Sequence, residues 1–148
     1  MKKEYISPSA FKTRKFAEKF AKQILKQKTL QTEAAAVICL CGELGSGKTT
    51  FLQGFAKGLG VKEKILSPTF IIMRKFKNFF HFDCYRIENP KEILSLGFKE
   101  IINNPSNIIS IEWADRIKKI LPPKKYEIKF QILGRNKRKI KITETRPL

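Results

Sequence analysis

The chain has 148 residues, 42% of them apolar, with 12 Phe, 3 Tyr and 1 Trp, enough to fill the core of one ordinary domain spanning residues 1–148. Its 31 basic residues against 13 acidic ones give a formal charge of +18, which predicts attraction to RNA, acidic protein surfaces or nucleotides, although a coding sequence poor in G and C also enriches Lys, Ile, Asn and Phe. No apolar run reaches the roughly 18–20 residues of a membrane-spanning helix, and no signal-type apolar stretch follows Met1-Lys2-Lys3-Glu4, so the expected location is the cytoplasm.

In chain order, Ser7-Pro8-Ser9 opens a segment whose Phe16, Phe20, Ile24 and Leu25 recur at helical spacing, predicting a capped amphipathic helix to about Lys28. Residues 31–35 read as a linker, and residues 36–41 as a short, fully apolar buried strand. A glycine-rich turn follows, then a helix over residues 48–58, with Phe51, Leu52, Phe55, Ala56 and Leu59 on its apolar side. Residues 70–76 and 79–83 predict a hairpin around Lys77-Asn78. Asn89-Pro90 starts a helix through Leu96 that Gly97 stops, residues 107–111 predict another buried strand, and residues 113–121 a short helix ended by Pro122-Pro123. Two last strands, 126–133 and 138–143, flank the turn 134–137. This alternation predicts an α/β fold, a P-loop NTPase-like three-layer sandwich whose mixed central sheet is parallel near the glycine turn and antiparallel at the hairpins. Cys39, Cys41 and Cys84 all lie in apolar segments, and no fourth ligand has zinc-like spacing, so reduced, buried core thiols are expected.

The strand, turn and helix at residues 36–58 carry Gly42-Glu43-Leu44-Gly45-Ser46-Gly47-Lys48-Thr49, a match to the phosphate-binding pattern G-x-x-x-x-G-K-[ST]. Glycines let consecutive backbone N–H groups turn toward phosphate oxygens, the helix N-terminus adds its positive end, Lys48 neutralises terminal phosphates, and Thr49 offers a hydroxyl to Mg2+. Two apolar runs end in an acid, Phe79-Phe80-His81-Phe82-Asp83 and Ile108-Ile109-Ser110-Ile111-Glu112; spacing does not say which carboxylate meets the metal and which positions water. Thr69, in Ser67-Pro68-Thr69-Phe70, is placed to sense a γ-phosphate or merely to follow a proline turn. His81 reads as a structural histidine rather than a proton shuttle, Arg86 as a phosphate contact or an acid's partner, and Trp113 as core or as a stacking wall beside the site. Arg135 and Arg138 can approach a nucleotide from across the fold. No Asn-Lys-x-Asp run is present, which favours ATP over GTP.

The blocks Gly42 to Thr50, Ser67 to Phe70, His81-Phe82-Asp83-Cys84-Tyr85-Arg86 and Glu112-Trp113 resemble, in order and spacing, the TsaE family of ATPases required for threonylcarbamoyl-adenosine modification of tRNA. The resemblance runs from about Ser9 to Arg138, with Gly54, Gly60, Glu92, Gly97 and Gly134-Arg135 as secondary marks; Glu43 and Cys84 depart mildly from the usual Asp and Leu. It implies that Gly42, Gly45, Ser46, Gly47, Lys48, Thr49, Thr50, Thr69, Asp83, Trp113, Gly134 and Arg135 form the ATP site. It also implies that Thr49 and Glu112 ligate Mg2+, that Lys48, Asp83 and Glu112 are catalytic, and that one of Ser9, Ala10 and Thr13 lines the adenine pocket. Such proteins act with TsaD and TsaB, so the resemblance implies a weak ATPase that resets that complex while the complex performs the transfer to tRNA. The alternatives are a small-molecule P-loop kinase, which would yield a phosphorylated acceptor, and a basic RNA-binding module.

Overall fold

The structure, a computed structural model, describes residues 2–28, 34–65 and 71–146. Its elements run β1 (Lys2–Ser7), α1 (Ala10–Lys28), β2 (Ala36–Cys41), α2 (Lys48–Gly58), β3 (Met73–Phe76), β4 (Phe79–Asp83), α3 (Lys91–Leu94), α4 (Phe98–Asn103), β5 (Ile108–Glu112), a 3-10 helix (Ala114–Ile120), β6 (Lys125–Ile132) and β7 (Arg138–Thr145). The strands form one seven-stranded sheet in the order β1-β7-β6-β2-β5-β4-β3. β2 is parallel to both β5 and β6, and β4 is parallel to β5. The β3–β4, β6–β7 and β1–β7 pairs are antiparallel. The sheet is thus mixed, parallel where the glycine turn leaves β2 and antiparallel at both margins, as the alternation of elements predicts.

Each face of the sheet has its own core. On one face α1 and α2 bury Phe20, Phe51 and Phe55 against Ile38 and Leu40 of β2, Phe79 of β4 and Tyr126, Ile128 and Phe130 of β6. The ring centroids of Phe20 lie 5.9 Å from Phe55 and 5.5 Å from Tyr126, and burying each such side chain contributes roughly 1.5–3 kcal/mol. On the other face Ile87, Ile93, Phe98 and Ile117 cover Val37, Cys39, Phe80, Phe82, Ile109 and Ile111. Cys84 belongs to this second core, whereas Cys41, at the end of β2, is exposed. The expectation of three buried thiols therefore fails at Cys41, where the strand's apolar run outlasts its cover.

α1 starts where the sequence places it. The Ser9 Oγ accepts the Lys12 N–H at 3.1 Å, one of the amides a helix start leaves unpaired. Ser7 Oγ donates to the Ser9 carbonyl at 2.8 Å and lies 2.6 Å from Thr13 Oγ1, so the buried Thr13 hydroxyl donates to Ser7. Two elements were not expected. β1 pairs on one side only, with β7, and carries Lys2 and Glu4 outward, so it lacks the apolar run that marks a central strand. α4 follows Gly97, whose φ of +84° ends one helix and allows the next to begin within a residue, and the predicted helix to Leu96 shrinks to α3. The expected helix over residues 113–121 is a 3-10 helix over Ala114–Ile120. The first hairpin strand, expected from residue 70, begins at Met73, because residues 71 and 72 are not in strand conformation; Thr69 and Phe70 lie outside the described residues.

Candidate functional site

The glycine turn joins the end of β2 to α2. Gly45 and Gly47 have φ of +79° and +107°, a region that side-chain-bearing residues rarely adopt, and so only glycine makes this path cheap. Gly47 precedes α2 without any side-chain cap, and no acid sits in the helix's first turn. The first in-helix bond runs from the Phe51 N–H to the Gly47 carbonyl, 2.9 Å, and the Ser46 N–H is held by the Glu43 carbonyl at 3.0 Å, so the amides of residues 48–50 are left to the turn together with the positive end of an 11-residue helix. Behind them the Ser46 hydroxyl is buried with no hydrogen-bond partner among the described residues. An oriented set of donors without acceptors fits an anion such as a phosphate chain.

The opposite wall comes from β4 and β5. On the face that α2 covers, both strands begin apolar, with Phe79 and Ile108 in the core, and turn polar toward their C-terminal ends, as His81 then Asp83 and Ser110 then Glu112. The parallel register sets His81 beside Ser110 and Asp83 beside Glu112. Glu112 is only 3% exposed. Its Oε2 lies 3.1 Å from His81 Nε2, and His81 Nδ1 lies 2.6 Å from Ser110 Oγ. An ionised Glu112 accepts only, so His81 carries its proton on Nε2 toward Glu112; in the neutral ring Nδ1 then accepts the Ser110 O–H. Burial pushes the Glu112 carboxyl up, but the His81 hydrogen bond, the charge of His81 when its ring is protonated, and the charges of Lys48 and Arg74 outweigh it and hold Glu112 below the usual carboxylate range. Lys48 Nζ stands 3.9 Å from Glu112 Oε1 and 5.5 Å from the centre of the Trp113 ring. Asp83 uses one carboxylate oxygen to accept the Tyr85 N–H at 3.0 Å.

These elements enclose a cleft of about 1010 Å³. Gly45, Gly47, Lys48, Thr49, Thr50, Asp83, Glu112, Trp113 and Arg135 all line it, and Ala10 and Thr13 line it from the start of α1. Gly42, Ser46 and Gly134 do not line it: a side chain at Gly42 would meet the buried Ser46 Oγ at 2.5 Å, and the carbonyl of the exposed Gly134 accepts from Arg138 at 2.8 Å. Arg138 also donates to the Gly45 carbonyl at 3.1 Å, tying the β6–β7 turn to the glycine turn. Trp113 is a wall, 40% exposed, with its ring centroid 5.0 Å from that of Tyr85 and the Arg116 guanidinium over both rings. Its φ of +59° is costly for a bulky residue and turns the chain sharply after Glu112. Among the described residues no three His, Cys, Asp or Glu side chains form a metal-holding group. A cation here would draw its oxygens from the Thr49 hydroxyl, a carboxylate and a phosphate chain together, a common arrangement for Mg2+.

The contact between His81 and Glu112 is the part that sequence reasoning missed. The signal was present: His81 and Ser110 are each the sole polar residue before the terminal acid of an otherwise apolar strand, and each stands two positions before that acid.

Residues 7–140 match the family model described as threonylcarbamoyl adenosine biosynthesis protein TsaE. The chain is 38% identical over 131 residues to the tRNA threonylcarbamoyladenosine biosynthesis protein TsaE of Rickettsia typhi, covering 85% of this chain and 84% of that one. It is 37% identical to the protein of the same name from Haemophilus influenzae, covering 80% and 75% of the two chains. With the corresponding Bacillus subtilis protein it shares 35% identity, over 82% and 78%. The crystal structure of Bacillus subtilis YdiB superposes with a TM-score of 0.68 at 26% identity, covering 98% of this chain and 86% of that one.

Proposed function

Since the chain belongs to the TsaE family, involved in threonylcarbamoyladenosine biosynthesis on tRNA, we propose that it is a weak Mg-dependent ATPase of the cytoplasm that works with TsaD and TsaB. In this reading it resets their complex between turnovers and leaves the transfer chemistry to them. The observation that carries the ATP site is the convergence of an uncapped helix start, an orphaned Ser46 hydroxyl, Lys48 and the held Glu112 on one cleft. The turn amides, Lys48, Thr49 and Thr50 hold the phosphates; Thr49 and Glu112 hold Mg2+, which would screen phosphate charge when bound. Asp83 borders the nucleotide and orders water, Trp113 and Arg135 flank it, and Thr69 and Gly134 complete the set. No helix among the described residues is long and apolar enough to cross a membrane.

The geometry of the site supports slow intrinsic hydrolysis. Lys48 rests on Glu112 and Trp113, and the cleft opens to solvent, so charge developing on a terminal phosphate meets little preorganised stabilisation until a partner closes over it. The test is phosphate release from Mg-ATP by the protein alone and with TsaD and TsaB from the same source, with Lys48→Ala as blank. Stimulation by the partners of roughly tenfold or more, absent from the blank, is the expected result. No stimulation of a protein that verifiably binds ATP overturns the reading, and a phosphorylated acceptor in place of inorganic phosphate makes the protein a kinase.

A further inference from the structure

α1 spends most of its apolar stripe on the core: Thr13, Ala17, Phe20, Ala21 and Ile24 are buried, while Phe11 and Leu25 stay exposed on one flank. At about 100° per residue, the opposite side of the helix is an arc of about 80° occupied by five residues, 12, 15, 19, 22 and 26. All five are lysine, and all five are exposed. They alternate three and four residues apart, so neighbours stand roughly 5–6 Å from one another and the row is about 21 Å long. The acid beside it, Glu18, sits on the flank and is shared loosely between Lys15 at 3.9 Å and Lys22 at 3.6 Å, contacts worth little at an exposed surface.

We infer that this lysine row is an RNA-binding surface that tracks the phosphates of a sugar–phosphate backbone. A straight row of flexible point charges suits an evenly charged chain. It suits a protein partner poorly, because lysine is depleted in protein interfaces and the five positions are all lysine; the aromatic beside them, Phe11, lies under Lys15, whose Nζ is 5.6 Å from the ring centre. It suits a lipid surface poorly as well, because an interfacial helix needs a broad apolar face to insert, and that of α1 is buried in the core but for Phe11 and Leu25. The choice of RNA among polyanions rests on the tRNA reading above. The row begins at Lys12, beside the Thr13 that lines the cleft, so RNA lying along α1 reaches the mouth of the nucleotide site.

The measurement is tRNA binding by the isolated protein, without ATP or partners, across about 50 to 200 mM salt. The row variant is K15Q/K19Q/K22Q, which leaves the cleft-side Lys12 in place. The control is K99Q/K118Q/K119Q, which removes the same charge from exposed lysines on α4 and the 3-10 helix, across the sheet. Each backbone contact adds about 0.7–0.9 to the salt slope, so the row variant is expected to lose about 2–3 units of slope and roughly 10²-fold in affinity at 0.1 M salt, while the control loses less than one unit. K15R/K19R/K22R keeps the charge and is expected to keep binding. Equal losses in the row and control variants, or no loss in the row variant, overturn the inference. So does a row variant that loses phosphatidylserine vesicles but keeps its RNA slope, which gives the surface to a lipid. Because neither ATP nor partners are present, failure of the partner-stimulated ATPase leaves this result standing, and the reverse also holds.

Discussion

The three thiols differ in a way that a reagent reads directly. Burial pushes Cys39 and Cys84 up to about 12, and only thiolate attacks. Cys41 is exposed. Native protein at pH 8 is therefore expected to take up one equivalent of a thiol reagent, at Cys41, and the other two only in denaturant; raising the pH to 9 leaves Cys39 and Cys84 silent because their thiolates form only near 12. Uptake of a second equivalent by folded protein contradicts the second core as described. Residue types alone already marked the chemistry of the glycine turn and of both acids, since each requires a specific atom at a specific place in the chain. The pattern that marks His81 was in the sequence, but its partner was not, because hydrogen bonding to Glu112 depends on which strands are neighbours, and strand order is a long-range property. The same holds for Trp113, whose exposure follows from the backbone turn after Glu112.

Between elements, the tightest contact is that of α1 with α2. A Cβ on Gly54 would lie 2.2 Å from the Arg14 carbonyl oxygen, and one on Gly58 2.5 Å from that of Glu18. Helix propensity alone favours alanine over glycine by about 1 kcal/mol at such positions. Here backbone oxygens cannot step aside without moving α1, so overpacking wins: Gly54→Ala and Gly58→Ala are each expected to destabilise by about 1–3 kcal/mol in urea unfolding. A stabilised variant would show that the helices stand farther apart. α1, α2 and the central strands were legible because their apolar periods are long and their caps local. β1 and the boundary between α3 and α4 were not, since the first takes its strand pairing from β7 at the far end of the sequence and the second turns on a single residue, Gly97.

At the scale of the molecule, 31 basic residues against 13 acidic ones on 148 repel one another in the folded state. Raising salt from about 20 to 200 mM is expected to raise the melting temperature, by about 2–4 °C for each kcal/mol of repulsion relieved, as the screening length shortens to below 10 Å. A melting temperature that falls with salt would mean that attractive pairs such as Lys139 with Glu4, 3.2 Å apart, outweigh the repulsion. tRNA, a polyanion, should mimic salt at far lower concentration if it binds the α1 row.

The sheet's order has a consequence in time as well as in space. β2 takes its neighbours from β5 and β6, and β1 finds its partner only in β7. A growing chain on a ribosome therefore holds the helix α1, the glycine turn and α2 long before the strands that cover their apolar faces have emerged. The phosphate-binding turn is made early and stays unsupported until the last hairpin arrives, when Arg138 reaches back to the Gly45 carbonyl.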